Sequence, residues 1–148
     1  MKISLTVLAT LIILAFSGCS RNDAINNVDS ANPLKDEWIL DAFESIGHPA
    51  IFLHPSDTIQ AVFGDSASLT GRSRGRCGNY YIGAYEMGAS SNLQIHSIIS
   101  SEAGCSTSAY WKFIHALESV TRFEISGRLY LYYDGSSKRM WLRRGGSS

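Results

Sequence analysis

A chain of 148 residues is long enough for one domain with a sizeable core and hardly long enough for two. Thirteen basic and thirteen acidic side chains cancel to a formal net charge of zero. That balance argues against nucleic acid as a partner and against a polybasic hold on acidic lipid.

Met1-Lys2 supplies one positive charge, and Ile3 to Phe16 is apolar apart from Ser4, Thr6 and Thr10. The run reads as a secretory signal, too short and too soon followed by polar chain to be a settled membrane span. Phe16-Ser17-Gly18-Cys19 comes next. Small residues before a cysteine resemble the lipobox of bacterial lipoproteins, in which that cysteine is lipidated and becomes the first mature residue; Phe16 stands where leucine is usual. The other reading is an ordinary signal peptide cleaved near Ser20, with Cys19 incidental. On the first reading residues 1–18 are a lipoprotein signal peptide and Cys19 is the lipidation site. Membrane attachment then comes from N-terminal acyl chains. Residues 19–33, rich in Asn, Asp, Ser and Ala, read as a flexible tether, which places the folded domain at 34–144.

Trp38-Ile39-Leu40 has the pattern of a first strand with Trp38 and Leu40 on one side, after which Phe43, Ile46 and Gly47 lead through a turn. Ala50 to Leu53, bounded by Pro49 and Pro55, predicts a second strand. A third is expected at Thr58 to Phe63, where Ile59, Ala61 and Phe63 alternate with Gln60. Gly64-Asp65-Ser66 superficially resembles the nucleophile block of one esterase family, but no Asp-x-x-His follows downstream, and the three residues read as a turn. Leu69 to Arg74 predicts another strand. Arg72, Arg74 and Arg76 alternate, so they should share a face: either a solvated strand face or a docking surface for an acidic partner.

The run Cys77-Gly78-Asn79-Tyr80-Tyr81-Ile82-Gly83-Ala84-Tyr85 is dense in aromatic and glycine residues. Asn79, Tyr81, Gly83 and Tyr85 recur at every second position, which in a strand puts all four on one face. Gly83, between two tyrosines, suits a bend or a bulge. If the row were a site, Asn79 and the tyrosine hydroxyls would be its polar groups; a structural role in an aromatic core is the reading preferred here. With Cys19 used for lipid, Cys77 and Cys105 are an even pair in an exported protein, where disulfides persist, and they read as bonded to each other. A metal site is the rival, but two sulfurs about 28 residues apart with no histidine at ligand spacing make poor zinc chemistry. His48, His54, His96 and His115 are scattered, and no Ser, Cys or carboxylate stands in a recognisable arrangement with any of them. The expectation is therefore no catalytic residue, no metal and no cofactor.

Gly88 to Asn92 is expected to be loop and Leu93 to Ile99 a strand. Ser106-Thr107-Ser108 offers helix caps, and Tyr110, Phe113, Ile114, Leu117 and Val120 behind them make the stripe of an amphipathic helix of about three turns. Phe123 to Ile125, Leu129 to Tyr133 and Met140 to Leu142, separated by the glycine turns at Ser126-Gly127 and Asp134 to Ser137, read as a β-meander. The class expected from these elements is mainly β with one helix.

From Trp38 to about Arg143 the order of pieces resembles the META domain of the HslJ-like bacterial envelope proteins. The likeness rests on Trp38-x-Leu40, Leu69-x-Gly71, Asn79-x-Tyr81-x-Gly83-x-Tyr85, Leu93-x-Ile95, a cysteine at 105, Phe113-x-x-x-Leu117-x-x-Val120 and Gly127-x-Leu129-x-Leu131. Family members often have Gly-Cys-Asn where this chain has Cys77-Gly78-Asn79, and often carry Thr-x-x-x-Cys and a helix Glu where it has Ser101 and Tyr110. The resemblance implies an antiparallel β domain curled into an open, or cracked, barrel with one helix packed on it. It also implies a non-enzymatic envelope lipoprotein with a stress-response or maintenance role, such as novobiocin tolerance in Gram-negative bacteria. Ser20 after the lipid cysteine favours the outer membrane, facing the periplasm, and an envelope protein is the partner class expected. The same architecture resembles pilot lipoproteins that escort secretins, so the alternative is a pilot or carrier holding a lipid tail or an apolar peptide segment in its open barrel.

Overall fold

The computed structural model describes residues 32–74, 78–101 and 108–146. Cys19, Arg76, Cys77 and Cys105 lie outside the described residues, and with them the lipidation and disulfide readings. Ala31–Ser148 is a compact unit in its own right. Its strands are β1 (Asp36–Ser45), β2 (Ile51–Phe52), β3 (Thr58–Phe63), β4 (Ser68–Arg74), β5 (Tyr80–Met87), β6 (Leu93–Ser100), β7 (Val120–Ile125), β8 (Leu129–Tyr133) and β9 (Lys138–Arg144). Helix α1 (Ser108–Glu118) stands between β6 and β7. Among the described residues no helix is long and apolar enough to cross a membrane.

All strand pairs are antiparallel, in the order β6-β5-β4-β3-β1-β9-β8-β7, with β2 beside β1. The sheet therefore follows the chain except at one place. The last strand, β9, returns to pair with the first, from Trp38 opposite Arg144 to Ser45 opposite Lys138. What is left is a single seam between β6 and β7, linked among the described residues by the lone bridge Asn92 to Arg122. This is an open antiparallel barrel whose unsealed seam falls where the chain leaves the sheet to make α1.

Alternation fills the inside. Trp38, Leu40 and Phe43 of β1, Ile59, Ala61 and Phe63 of β3, Leu69 of β4, Tyr81 and Tyr85 of β5, and Leu131, Met140 and Leu142 of the last hairpin share one buried cluster. The helix adds Tyr110, Phe113, Ile114, Ala116 and Leu117 to it. An eight-stranded barrel is just wide enough to be filled by side chains, and six of the bulkiest here are fully buried: Trp38, Tyr81, Tyr85, Tyr110, Phe63 and Phe113. Phe113 meets the Tyr81 ring nearly edge-on at 5.8 Å, and Tyr110 lies 6.5 Å from it. The helix thus plugs the barrel end at which β5 begins. The opposite end is closed by Leu34, whose carbonyl accepts the Trp38 indole N–H at 2.8 Å, and by Asn32, which donates to the Tyr85 hydroxyl and to the Gly64 carbonyl.

Several boundaries depart from the sequence reading. The chain from Asp41 to Ser45 remains strand instead of turning after Leu40. A bulge between Leu40 and Ala42 makes this possible, since the register against β9 shifts there and both Leu40 and Phe43 end up inside. The second strand shrinks to Ile51 and Phe52, both exposed. Val120 begins β7 and is not part of the helix stripe. Asn32, assigned to the tether, is held by the hydrogen bonds just described. The bulge expected near Gly83 lies across from it, in β6: the β5–β6 register shifts between Ile82 and Ala84, and Ser97 has a φ of 57°.

Candidate functional site

The motif row does lie on one face, and that face is the inside. Asn79, just ahead of β5, is fully buried, as are Tyr81 and Tyr85, while Gly83 is half-buried between the tyrosines. Each tyrosine reaches across β4 to a carbonyl at β3. The Tyr81 hydroxyl donates to Gln60 O at 2.9 Å, and Tyr85 donates to Gly64 O at 2.8 Å. Gly71 makes the first reach possible, because a Cβ there would sit 2.4 Å from Tyr81 Cζ and 2.1 Å from Gln60 O. Burial pushes the Tyr81 hydroxyl well above the usual tyrosine range, and the neighbouring Tyr110 hydroxyl adds to the shift. Both hydroxyls of the row donate to main-chain carbonyls and so tie strands together.

The remaining named residues do not converge. His48, His54, His96 and His115 are all exposed. His54 bonds Ser56, His96 lies 3.6 Å from Glu86, and His115 lies 3.7 Å from Glu118. Among the described residues no group of three or more His, Cys, Asp or Glu could hold a metal ion. Gly64, Asp65 and Ser66 form the β3–β4 turn with Lys35 paired to Asp65 at 2.6 Å. Arg72 and Arg74 are both exposed on the outer face of β4, and Arg72 bonds Gln60 Oε1 at 2.9 Å.

The outer face of β1, β9, β8 and β7 carries a layer of alternating cations and rings. Arg122 stacks on Tyr132 at 3.4 Å, Asp41 receives both Arg128 and Arg143, and Phe52, Trp141 and Tyr130 meet edge to face at 5.8 and 6.0 Å. Glu44 sits at the centre, accepting from Arg139 and, at 2.8 Å, from the Trp141 indole. The Arg139 bond holds the Glu44 carboxyl below its usual range against the opposing effect of burial, and the same bond pushes Arg139 up. A depressed folded value means that this contribution is complete above the ordinary glutamate value of 4.5 and is lost as pH falls through the lower folded value. Glu44→Gln is accordingly expected to destabilise by about 1–2 kcal/mol at pH 7, with the gap to wild type closing in urea melts below about pH 4. A gap that stays constant down to pH 3 would remove the charge from the account.

A concavity lies beside this layer. A groove of about 500 Å³ runs between α1 and the barrel end formed by β1, β2 and the β8–β9 turn. Phe43, Ile51, Ala116 and Tyr133 give it apolar walls, and Lys112, His115 and Lys138 stand along it. Ile51 is 67% exposed and its neighbour Phe52 63%, so the outer lip is apolar as well. Burial pushes the Tyr133 hydroxyl up and keeps it neutral, with Lys138 and Asp134 acting in opposite senses. The sequence reading missed this groove, because its walls come from four separate segments and none of them carries a motif.

The sequence matches no family model and no curated protein. Its fold does have a solved relative. The crystal structure of a DUF4847 family protein from Bacteroides vulgatus superposes with a TM-score of 0.57 at 13% sequence identity, covering 78% of this chain and 96% of that one. At such identity the likeness is one of fold alone.

Proposed function

We propose that this chain is a lipid-anchored envelope protein of the META, HslJ-like type, which acts by binding and not by turnover in envelope maintenance or stress. The observation that carries the second half is the filled barrel. Large side chains occupy the interior and the motif hydroxyls are committed to strand ties, so recognition falls to the outside, where the groove beside α1 offers a concavity with apolar walls. The open antiparallel barrel with its single helix is also the architecture that the resemblance implies.

The first half is supported by Lys2, the apolar run to Phe16 and Ser17-Gly18-Cys19. Two or three acyl chains at Cys19 would anchor the protein stably where one would not, and Ser20 favours the outer membrane. Cys19→Ala is expected either to release the mature domain into the soluble periplasmic fraction or to leave an unprocessed precursor, and to fail to restore novobiocin survival to a deletion strain that wild type restores. Full processing with unchanged membrane fractionation would overturn the anchor. A deletion strain with normal survival would overturn the stress role.

The carrier alternative finds support in the same groove and not in the barrel interior. A tail lodged among Trp38, Tyr81 and Phe113 would have to displace rings that already fill the space, whereas the groove is open to solvent.

A further inference from the structure

We infer that the groove between α1 and the β8–β9 turn binds a small amphipathic carboxylate, its apolar body between Phe43, Ile51, Ala116 and Tyr133 and its carboxylate on the Lys112 ammonium. The proposal rests on the reading of the domain as a binding module and gives that module a ligand class. The argument is one of charge and shape. Of the titratable groups lining the groove, Glu44 is taken by Arg139 and Trp141, Asp134 by Lys138 at 2.7 Å, and His115 lies 3.7 Å from Glu118. Lys112 alone has no acidic partner among the described residues. Its ammonium is poised 4.2 Å above the Phe43 ring, a contact that holds the charge over the groove without neutralising it.

An anion therefore completes the set, and a cation would meet Lys112 unpaired. The apolar share of the ligand follows from the walls. Ile51 is two-thirds exposed at the lip, and the volume is in the range of ordinary small-molecule sites. Covering Ile51 and the edge of Phe43 removes apolar surface from water, which acetate cannot do and a chain of several carbons can. Lys112 lies on the exposed side of α1 and Ile51 at the lip, so either can be changed without emptying the core.

The test uses the compact unit Ala31–Ser148, which contains the whole sheet, the helix and the buried cluster, and needs no detergent. Octanoate is titrated below its micellar range and followed by amide shifts in heteronuclear NMR, with octylamine and acetate as matched controls. Saturable shifts confined to Ser45, Ile51, Lys112, Ala116 and Lys138 are expected with octanoate and not with the controls. Lys112→Gln and Ile51→Ser should each weaken octanoate by about tenfold, at an unchanged melting temperature. Shifts that never saturate, saturation by octylamine to the same extent, or unchanged octanoate affinity in Lys112→Gln would each overturn the assignment. None of these outcomes bears on lipidation at Cys19, so the site and the anchor fail separately.

Discussion

Gly71→Ala is expected to destabilise the domain by about 3–5 kcal/mol, and Gly71→Val to prevent folding. The reason is local and geometric. Gly71 pairs with Ala61 on one side and Tyr81 on the other, and the Tyr81 ring passes over it to reach the Gln60 carbonyl. A Cβ at 2.1 Å from Gln60 O meets backbone, and at 2.4 Å from Tyr81 Cζ it meets a ring that Phe113 and Tyr110 hold from the other side. Neither neighbour can yield without opening the β3–β4 ladder. Because small domains have about 5–15 kcal/mol in total, this single methyl consumes a large share. Gly83 makes an internal control, since a Cβ there would lie 3.3 Å from His96 O and from Ile98 Cγ1. Gly83→Ala should cost about 1 kcal/mol, and even Gly83→Val less than Gly71→Ala. Urea melts of Gly71→Ala, Gly83→Ala and Gly83→Val decide the matter, and a Gly71→Ala protein within about 1 kcal/mol of wild type would refute the strand tie as described.

How much was legible in the sequence depended on how local the cause was. Thr58–Phe63 could be read to the residue, because Ile59, Ala61 and Phe63 alternate without interruption and turns bound the run. The first strand could not, because the bulge at Asp41 sets the inward Leu40 and Phe43 three positions apart and so breaks the period of two. Val120 falls on the helical spacing that runs through Leu117, yet Glu118 ends the helix and Val120 belongs to β7. Here two elements in immediate succession share one apolar period. Asn32 looked like tether because its partners, Gly64 and Tyr85, are far away in the chain.

The site divides the same way. That Asn79, Tyr81, Gly83 and Tyr85 share a face is a property of one strand and was readable; that Tyr81 and Tyr85 reach over a neighbouring strand is a property of three. Lys112 is unremarkable as sequence. It acquires meaning only when β1 brings Phe43 under it and the β8–β9 turn supplies Asp134 for Lys138.

Trp38→Ala is expected to cost about 3–5 kcal/mol, and Trp38→Phe about 1–3 kcal/mol, for reasons that can be separated. Trp38 is fully buried where β1 lies between Ala61 of β3 and Arg144 of β9. Truncation to alanine leaves a cavity that the surrounding strands cannot close, since both flanking ladders are hydrogen-bonded through that position. Phenylalanine fills most of the space but has no donor, so the Leu34 carbonyl, 2.8 Å from the indole nitrogen, is left without it. The difference between the two variants is the cavity, and the phenylalanine value is chiefly the hydrogen bond. Leu34 is itself fully buried and its amide bonds the Asn32 side chain at 3.0 Å. Losing the Trp38 bond should therefore loosen the whole Asn32 to Leu34 plug, seen as faster hydrogen exchange at Leu34 and Tyr85 in Trp38→Phe while the amides of β8 and β9 stay protected. Uniformly faster exchange across the sheet would mean that the ring's packing, and not its N–H, holds that end of the barrel shut.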